Sequence, residues 1–230
     1  MDAKMAVCNR IGETGAVTGL IIPKEGAGRD ESVDIAVAAG QIVPVVASPP
    51  DPTHIRPLKE VAGLLVTQVI VGGCTGGRLD DTKALVQAMR GRKVHPDTVL
   101  LVTPASAGVA EAMEGAGLTR ALRQAGAVIN PPGCGPCPGL HQGILAAGDR
   151  AVATSVRNVP GRMGAIEAEI YLASPYTAGL AAAADEHVQV AVSVDVGARQ
   201  GADRGGASGE TNGGPEVGHV EVEDGRGRGS

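Results

Sequence analysis

Gln68-Val69-Ile70-Val71-Gly72-Gly73-Cys74-Thr75-Gly76-Gly77-Arg78 runs from an apolar, β-branched segment straight into a glycine-rich break. An apolar run this short, bounded by glycine, predicts a strand buried on both faces, here over residues 67–71. Residues 80–90 follow as a helix, with Asp80 and Asp81 placed to favour its positive N-terminus. The same alternation continues outward. Strands are expected over 98–103, 127–130 and 151–156, and helices over 107–115, 119–124, 140–146, 165–172 and 178–185. Strands alternating with helices build a mostly parallel sheet covered on both faces. The expected fold class is therefore α/β, a three-layer α/β/α domain.

The interior must be built without large rings. Of 230 residues none is Phe or Trp, and only Tyr171 and Tyr176 are aromatic. Ala, Val, Ile and Leu have to fill the core, which suits strands buried on both faces, and the length is enough for a substantial core. A net charge of −5 argues against a nucleic-acid partner, as does the lack of a dense Lys/Arg stripe or an aromatic stacking surface. The apolar runs fall far short of the ~18–20 residues a membrane span needs. Asp2 and Lys4 open the chain, and Asn9, Arg10 and Glu13 interrupt any apolar core of a signal peptide. Four cysteines are too few for a secreted disulfide framework, so a reducing cytoplasm is the expected compartment.

Residues 1–47 read as a helical turn and connections, the end of one unit rather than the start of another. Ser48-Pro49-Pro50-Asp51-Pro52, continuing to Pro57, cannot sit in a central strand and reads as an extended linker. The α/β unit is expected over 48–195. Its alternating Val188-Gln189-Val190-Ala191-Val192-Ser193-Val194 suits an added edge strand. Residues 196–230, glycine-rich and nearly free of apolar side chains, are expected to be disordered.

Chemistry concentrates where strands end. Cys74 follows the first strand of the regular pattern, Cys134-Gly135-Pro136-Cys137 follows the strand at 127–130, and Arg157 follows the strand at 151–156. Open parallel sheets bind ligands beyond the carboxyl ends of their strands, so these residues share one rim. Three thiolates from two loops can hold an iron–sulfur cluster and leave one iron without a protein ligand. Other readings stay open. Cys-Gly-Pro-Cys is also a thiol–disulfide redox motif, though here prolines and glycines flank it and Cys74 has no part in that chemistry. Zinc could take the three thiolates with His141, His95 or Cys8 as a fourth ligand, and three unliganded thiols are the plainest alternative. Arg157 and Arg162 straddle a Pro-Gly turn and can grip carboxylates bidentately, or simply be solvated. Asn9 and Glu13, four apart, share a face if they lie on a helix.

In these motifs the chain resembles the large subunit of 3-isopropylmalate dehydratase and homoaconitase, within the aconitase superfamily. The likeness runs from about residue 1 to about residue 188. It rests on Met5-Ala6-Val7-Cys8-Asn9 with Glu13, Gly73-Cys74-Thr75 with Gly77-Arg78-Leu79, and the run from Asn130 to Cys137. It continues through Thr154-Ser155, Arg157-Asn158, Gly161-Arg162-Met163-Gly164 and Tyr171-Leu172-Ala173-Ser174-Pro175. The resemblance implies a [4Fe–4S] cluster held by Cys74, Cys134 and Cys137, with its fourth iron open to substrate. It implies carboxylate binding by Arg157 and Arg162, a hydrogen bond from Asn9 to the cluster, and Glu13 as the acid near the iron-bound water. The implied reaction is a hydro-lyase isomerisation of a hydroxy polycarboxylate, such as 3-isopropylmalate or a homocitrate-like acid. The first variation on the family pattern is Gly76, where Asn is usual. The second is Val156, which replaces an asparagine that hydrogen-bonds the cluster and so predicts altered cluster lability or reactivity. By the same likeness residues 1–47 are the remnant of a preceding aconitase-type domain. The family's first domain, with its catalytic histidines, and the swivelling small domain, with its base serine, lie outside this sequence. The chain is therefore expected to need a small-subunit partner. A non-catalytic, redox-sensing iron–sulfur remnant is the competing expectation.

Overall fold

The computed structural model describes residues 8–11 and 43–183. Within these lie β1 Val45–Ala47, β2 Ile55–Pro57, β3 Gln68–Gly72, β4 Val99–Thr103, β5 Val128–Ile129, β6 Arg150–Ala153 and β7 Glu169–Leu172. They form one sheet in the order β2-β1-β7-β6-β3-β4-β5. β3 pairs in parallel with β4 and β6, β4 with β5, and β6 with β7. β1 and β2 are antiparallel additions at one edge. All five parallel strands thus end on one rim, at Gly72, Thr103, Ile129, Ala153 and Leu172. The fold is α/β with a mostly parallel sheet, as the alternation of apolar runs and helical stretches requires.

Side chains alternate across the sheet with the period of two that a strand imposes. Val69, Val71, Leu100, Val102, Val152 and Tyr171 face one side, in a core shared with Leu85, Met89, Met113, Leu122 and Ala182. Those five partners belong to the helices α2 Leu79–Met89, α3 Ala107–Gly115, α4 Leu118–Ala125 and α5 Pro175–Ala182. Ile70, Leu101, Ala151, Ala153, Ile170 and Leu172 face the other side. There the cover, among the described residues, is loop: Leu145, Met163, Ala165 and Ala168. α2 and α5 cross closely because Gly179 has no side chain. A Cβ there would come within 2.7 Å of Ala88 Cβ and the Leu85 carbonyl.

Helix ends follow local chemistry. Asp81 in the first turn of α2 accepts the Arg78 backbone N–H at 3.0 Å, and Ser106 caps α3 by accepting from Val109 N at 3.3 Å. Ser174 caps α5 with its Oγ at 3.1 Å from Thr177 N, and Pro175 opens that helix.

Three expected features differ. Residues 165–172 hold no helix; a turn leads into β7, whose Ile170, Tyr171 and Leu172 are buried beside β6. A short buried run suits strand and helix alike, and pairing with β6 decides between them. Residues 140–146 are irregular, with Gln142 and Gly143 at positive φ, and Leu145 bridges to Gly164 instead. The proline-rich stretch is no free linker. Residues 48–54 form the turn of the β1–β2 hairpin, with Ser48 N donating to the His54 carbonyl at 2.8 Å. Pro57 sits where the edge tolerates it. The strand expected at 188–194, the tail 196–230 and most of 1–47, Glu13 included, lie outside the described residues.

A candidate thiolate centre at the carboxyl rim of the sheet

β3 ends in Gly72, and the chain turns at once into the single turn α1 Gly73–Gly76, which carries Cys74. The turn fits against β4 because its glycines leave room. A Cβ on Gly72 would lie 2.6 Å from the Thr103 carbonyl and one on Gly77 2.5 Å from the same oxygen. Thr103, at the end of β4, is also the floor for the second cysteine loop. Asn130 Nδ2 donates to Thr103 Oγ1 at 3.2 Å. Gly133 N donates to the Pro104 carbonyl at 2.9 Å, and Gly135, at φ +57°, packs on the Thr103 side chain. A Cβ on Gly73 would stand 3.8 Å from the Cys134 carbonyl. The two cysteine-bearing segments, sixty residues apart in sequence, are neighbours on the rim.

Cys74 and Cys134 are exposed and Cys137 is half-buried; all are free thiols, as is Cys8. Cys134–Cys137 occupies consecutive turns, with Cys137 N donating to the Cys134 carbonyl at 3.3 Å. The thiol-exchange motif relies on a helix N-terminus to lower a thiol's pKa, and no helix starts there. Among the described residues no three His, Cys, Asp or Glu side chains draw together as they would around a single ion. A tetrahedral zinc needs all its sulfurs about 2.3 Å from one point. A cubane cluster asks for one thiolate at each of several irons, so its thiolates stand wider apart. Three free thiols at a rim whose glycines admit close approach fit such a cluster in donor chemistry.

Arg162 approaches from the loop that follows β6, with Nη2 3.7 Å from Cys137 Sγ. Its Nε is buried and makes no hydrogen bond among the described residues. Arg157 is exposed on the same rim. Its neighbour Asn158 is structural: fully buried, it donates to the Ala47 carbonyl at 3.3 Å and the Ile170 carbonyl at 3.2 Å, tying β1 to β7. Val156 is half-buried and offers no donor. Thr154 anchors the other flank, its Oγ1 accepting from Gly72 N at 3.0 Å and its carbonyl from Thr75 Oγ1 at 3.0 Å. Gly76 lies against the Thr154 side chain with no room for a Cβ, which accounts for glycine at that position.

The helical turn at residues 8–10 docks on this flank. Asn9 Nδ2 donates to the Cys74 carbonyl at 3.2 Å. Arg10, which nothing in the sequence singled out, donates through Nη2 to the carbonyls of Thr154 and Ser155 at 3.1 and 3.0 Å. Burial pulls the Arg10 pKa below its ordinary value, while the Asp81 and Cys74 side chains push it back up. Arginine starts so far above neutrality that it stays charged. These contacts join residues 144 and 145 positions apart, and no local sequence pattern reports them.

The fold and the thiol rim define an α/β domain with a candidate thiolate centre at the carboxyl ends of its parallel strands. The Aconitase family (aconitate hydratase) model matches residues 35–185, and the chain belongs to that family. Among its relatives is 3-isopropylmalate dehydratase large subunit 1 of Methanopyrus kandleri, 40% identical over 198 residues, covering 78% of this chain and 47% of that protein. Large subunit 2 of the same organism is 44% identical over 190 residues, covering 80% and 47%. The large subunit 1 of Deinococcus radiodurans is 41% identical over 197 residues, covering 78% and 45%. The chain spans about half the length of the curated relatives it matches. Among the described residues no helix is long and apolar enough to cross a membrane.

Proposed function

We propose that this chain is the cluster-bearing part of a [4Fe–4S]-dependent hydro-lyase acting on a hydroxy polycarboxylate, with 3-isopropylmalate the foremost candidate. Homocitrate or homoaconitate is the next. The observation that carries the reading is the meeting of Cys74 with the Cys134–Cys137 loop and Arg162 at one rim of the parallel sheet. Cys74, Cys134 and Cys137 would hold the cluster. When bound, it supplies an iron that lacks a protein thiolate and acts as a Lewis acid toward a hydroxyl group.

The remaining work falls to side chains. Arg157, exposed on the rim, and the Arg162 donors not turned to Cys137 grip substrate carboxylates and fix which carbon faces the centre. Asn9 holds the Cys74 loop through its carbonyl. Dehydration breaks a C–O bond and a neighbouring C–H bond. The hydroxyl leaves as water with a proton from an acid, for which Glu13 is the candidate, and a base takes the carbon-bound proton as the double bond forms. The base comes from a small-subunit partner. The relatives carry the words "large subunit" in their names, which supports such a partner here too. Cytoplasmic residence accords with free thiols and this chemistry.

Substrate recognition is testable without turnover. The anaerobically reconstituted chain should change its EPR spectrum when 3-isopropylmalate is added, and Arg157→Ala and Arg162→Ala should weaken that response at least tenfold in concentration. A spectrum indifferent to every hydroxy polycarboxylate tried would leave the non-catalytic cluster protein, the reading that apolar Val156 favours.

A further inference from the structure

Two arginines flank the thiolate centre. Arg162 stands at Cys137 on one side. Arg10 stands on the Cys74 side and is held more firmly. Its Nη2 bridges two successive carbonyls, Thr154 and Ser155, and Thr154 O also accepts from Thr75, the residue after Cys74. The half-buried guanidinium thus shares the Thr154 carbonyl with Thr75, the neighbour of the proposed ligand Cys74, next to the segment where Val156 contributes no side-chain donor. The Asp81 carboxylate of α2, whose Oδ2 accepts the Arg78 N–H at 3.0 Å, adds an opposing charge that acts on the same cation.

We propose that Arg10 is a positioning residue of this centre: its fixed positive charge raises the cluster's reduction potential, and its two carbonyl bonds seat the turn that carries Asn9. The inference rests on the cluster reading above. A cluster gains negative charge when reduced, so a nearby cation held out of bulk water favours the reduced state. The two carbonyl bonds alone would be a clamp without electrostatic consequence, and the choice of variants separates the clamp from the charge.

The test is a redox titration of the reconstituted cluster, followed by EPR, in the wild type and three variants. Arg10→Gln keeps an amide donor but no charge, and should move the potential negative. Arg10→Lys keeps the charge and should restore it to near the wild-type value. Asp81→Asn removes the opposing charge and should move the potential positive. A wild-type potential in Arg10→Gln, or an equal negative shift in Arg10→Lys, would overturn the proposal and leave the cluster reading intact. Should Arg10→Gln lose its cluster, the charge-conserving Arg10→Lys decides: a potential near the wild-type value supports the role and a clear negative shift refutes it. A wild-type chain that takes up no iron and sulfide refutes both readings together.

Discussion

Gly135 is pinned by two independent constraints, a backbone in the left-handed region at φ +57° and the Thr103 side chain where a Cβ would go. The left-handed backbone costs an alanine about 1–2 kcal/mol and the overpacking about 1–3 kcal/mol, so Gly135→Ala should destabilise the chain by roughly 2–5 kcal/mol. Gly108 in α3 meets nothing within 4 Å, and Gly108→Ala should be neutral or slightly stabilising. Urea denaturation of both variants reads the contrast directly. The cysteine segments and the Arg157–Arg162 turn stand out in the sequence because a cysteine pair and a Pro-Gly turn are local signals. Arg10 does not, since its partners are the carbonyls of residues far along the chain. Asn158 beside Arg157 was legible only as part of a motif; its burial between Ala47 and Ile170 is a tertiary fact.

The elements follow from sequence where a run has one period and a clear stop. α3 runs over Ala107–Gly115 as expected, with Ser106 supplying the cap, and β3 and β4 fall within a residue of their expected bounds. β7 was misread because Glu169–Leu172 is a short buried run, and only its ladder to β6 distinguishes strand from helix. Residues 140–146 look helical in composition, yet Gly139, Gln142 and Gly143 take positive φ so that the loop can return to Met163 and Gly164. α2 is the element on which the helical layer turns. Leu85 is fully buried there, between the sheet and the close crossing with α5. Leu85→Ala should cost about 2–5 kcal/mol, the range for a buried leucine whose neighbours cannot collapse. The thermal midpoint would report it, and a shift of only a degree or two would show that the α2–α5 contact is looser than described.

At the scale of the whole molecule, a parallel sheet puts the ends of five strands on one rim, and the glycines after β3 and within the β5 loop let two thiol-bearing segments meet there. That convergence, more than any one motif, makes this chain a candidate cluster protein of the aconitase family. The chain matches only about half of its relatives' length. The most direct measurement is the iron and sulfide content, with visible absorbance, of the anaerobically reconstituted chain and its four Cys→Ala variants. Cys74, Cys134 and Cys137 should each prove necessary for four irons and four sulfides per chain, while Cys8→Ala retains the full complement. Full loading in any of the first three variants, or bound zinc and no sulfide in the wild type, would contradict a three-thiolate cluster.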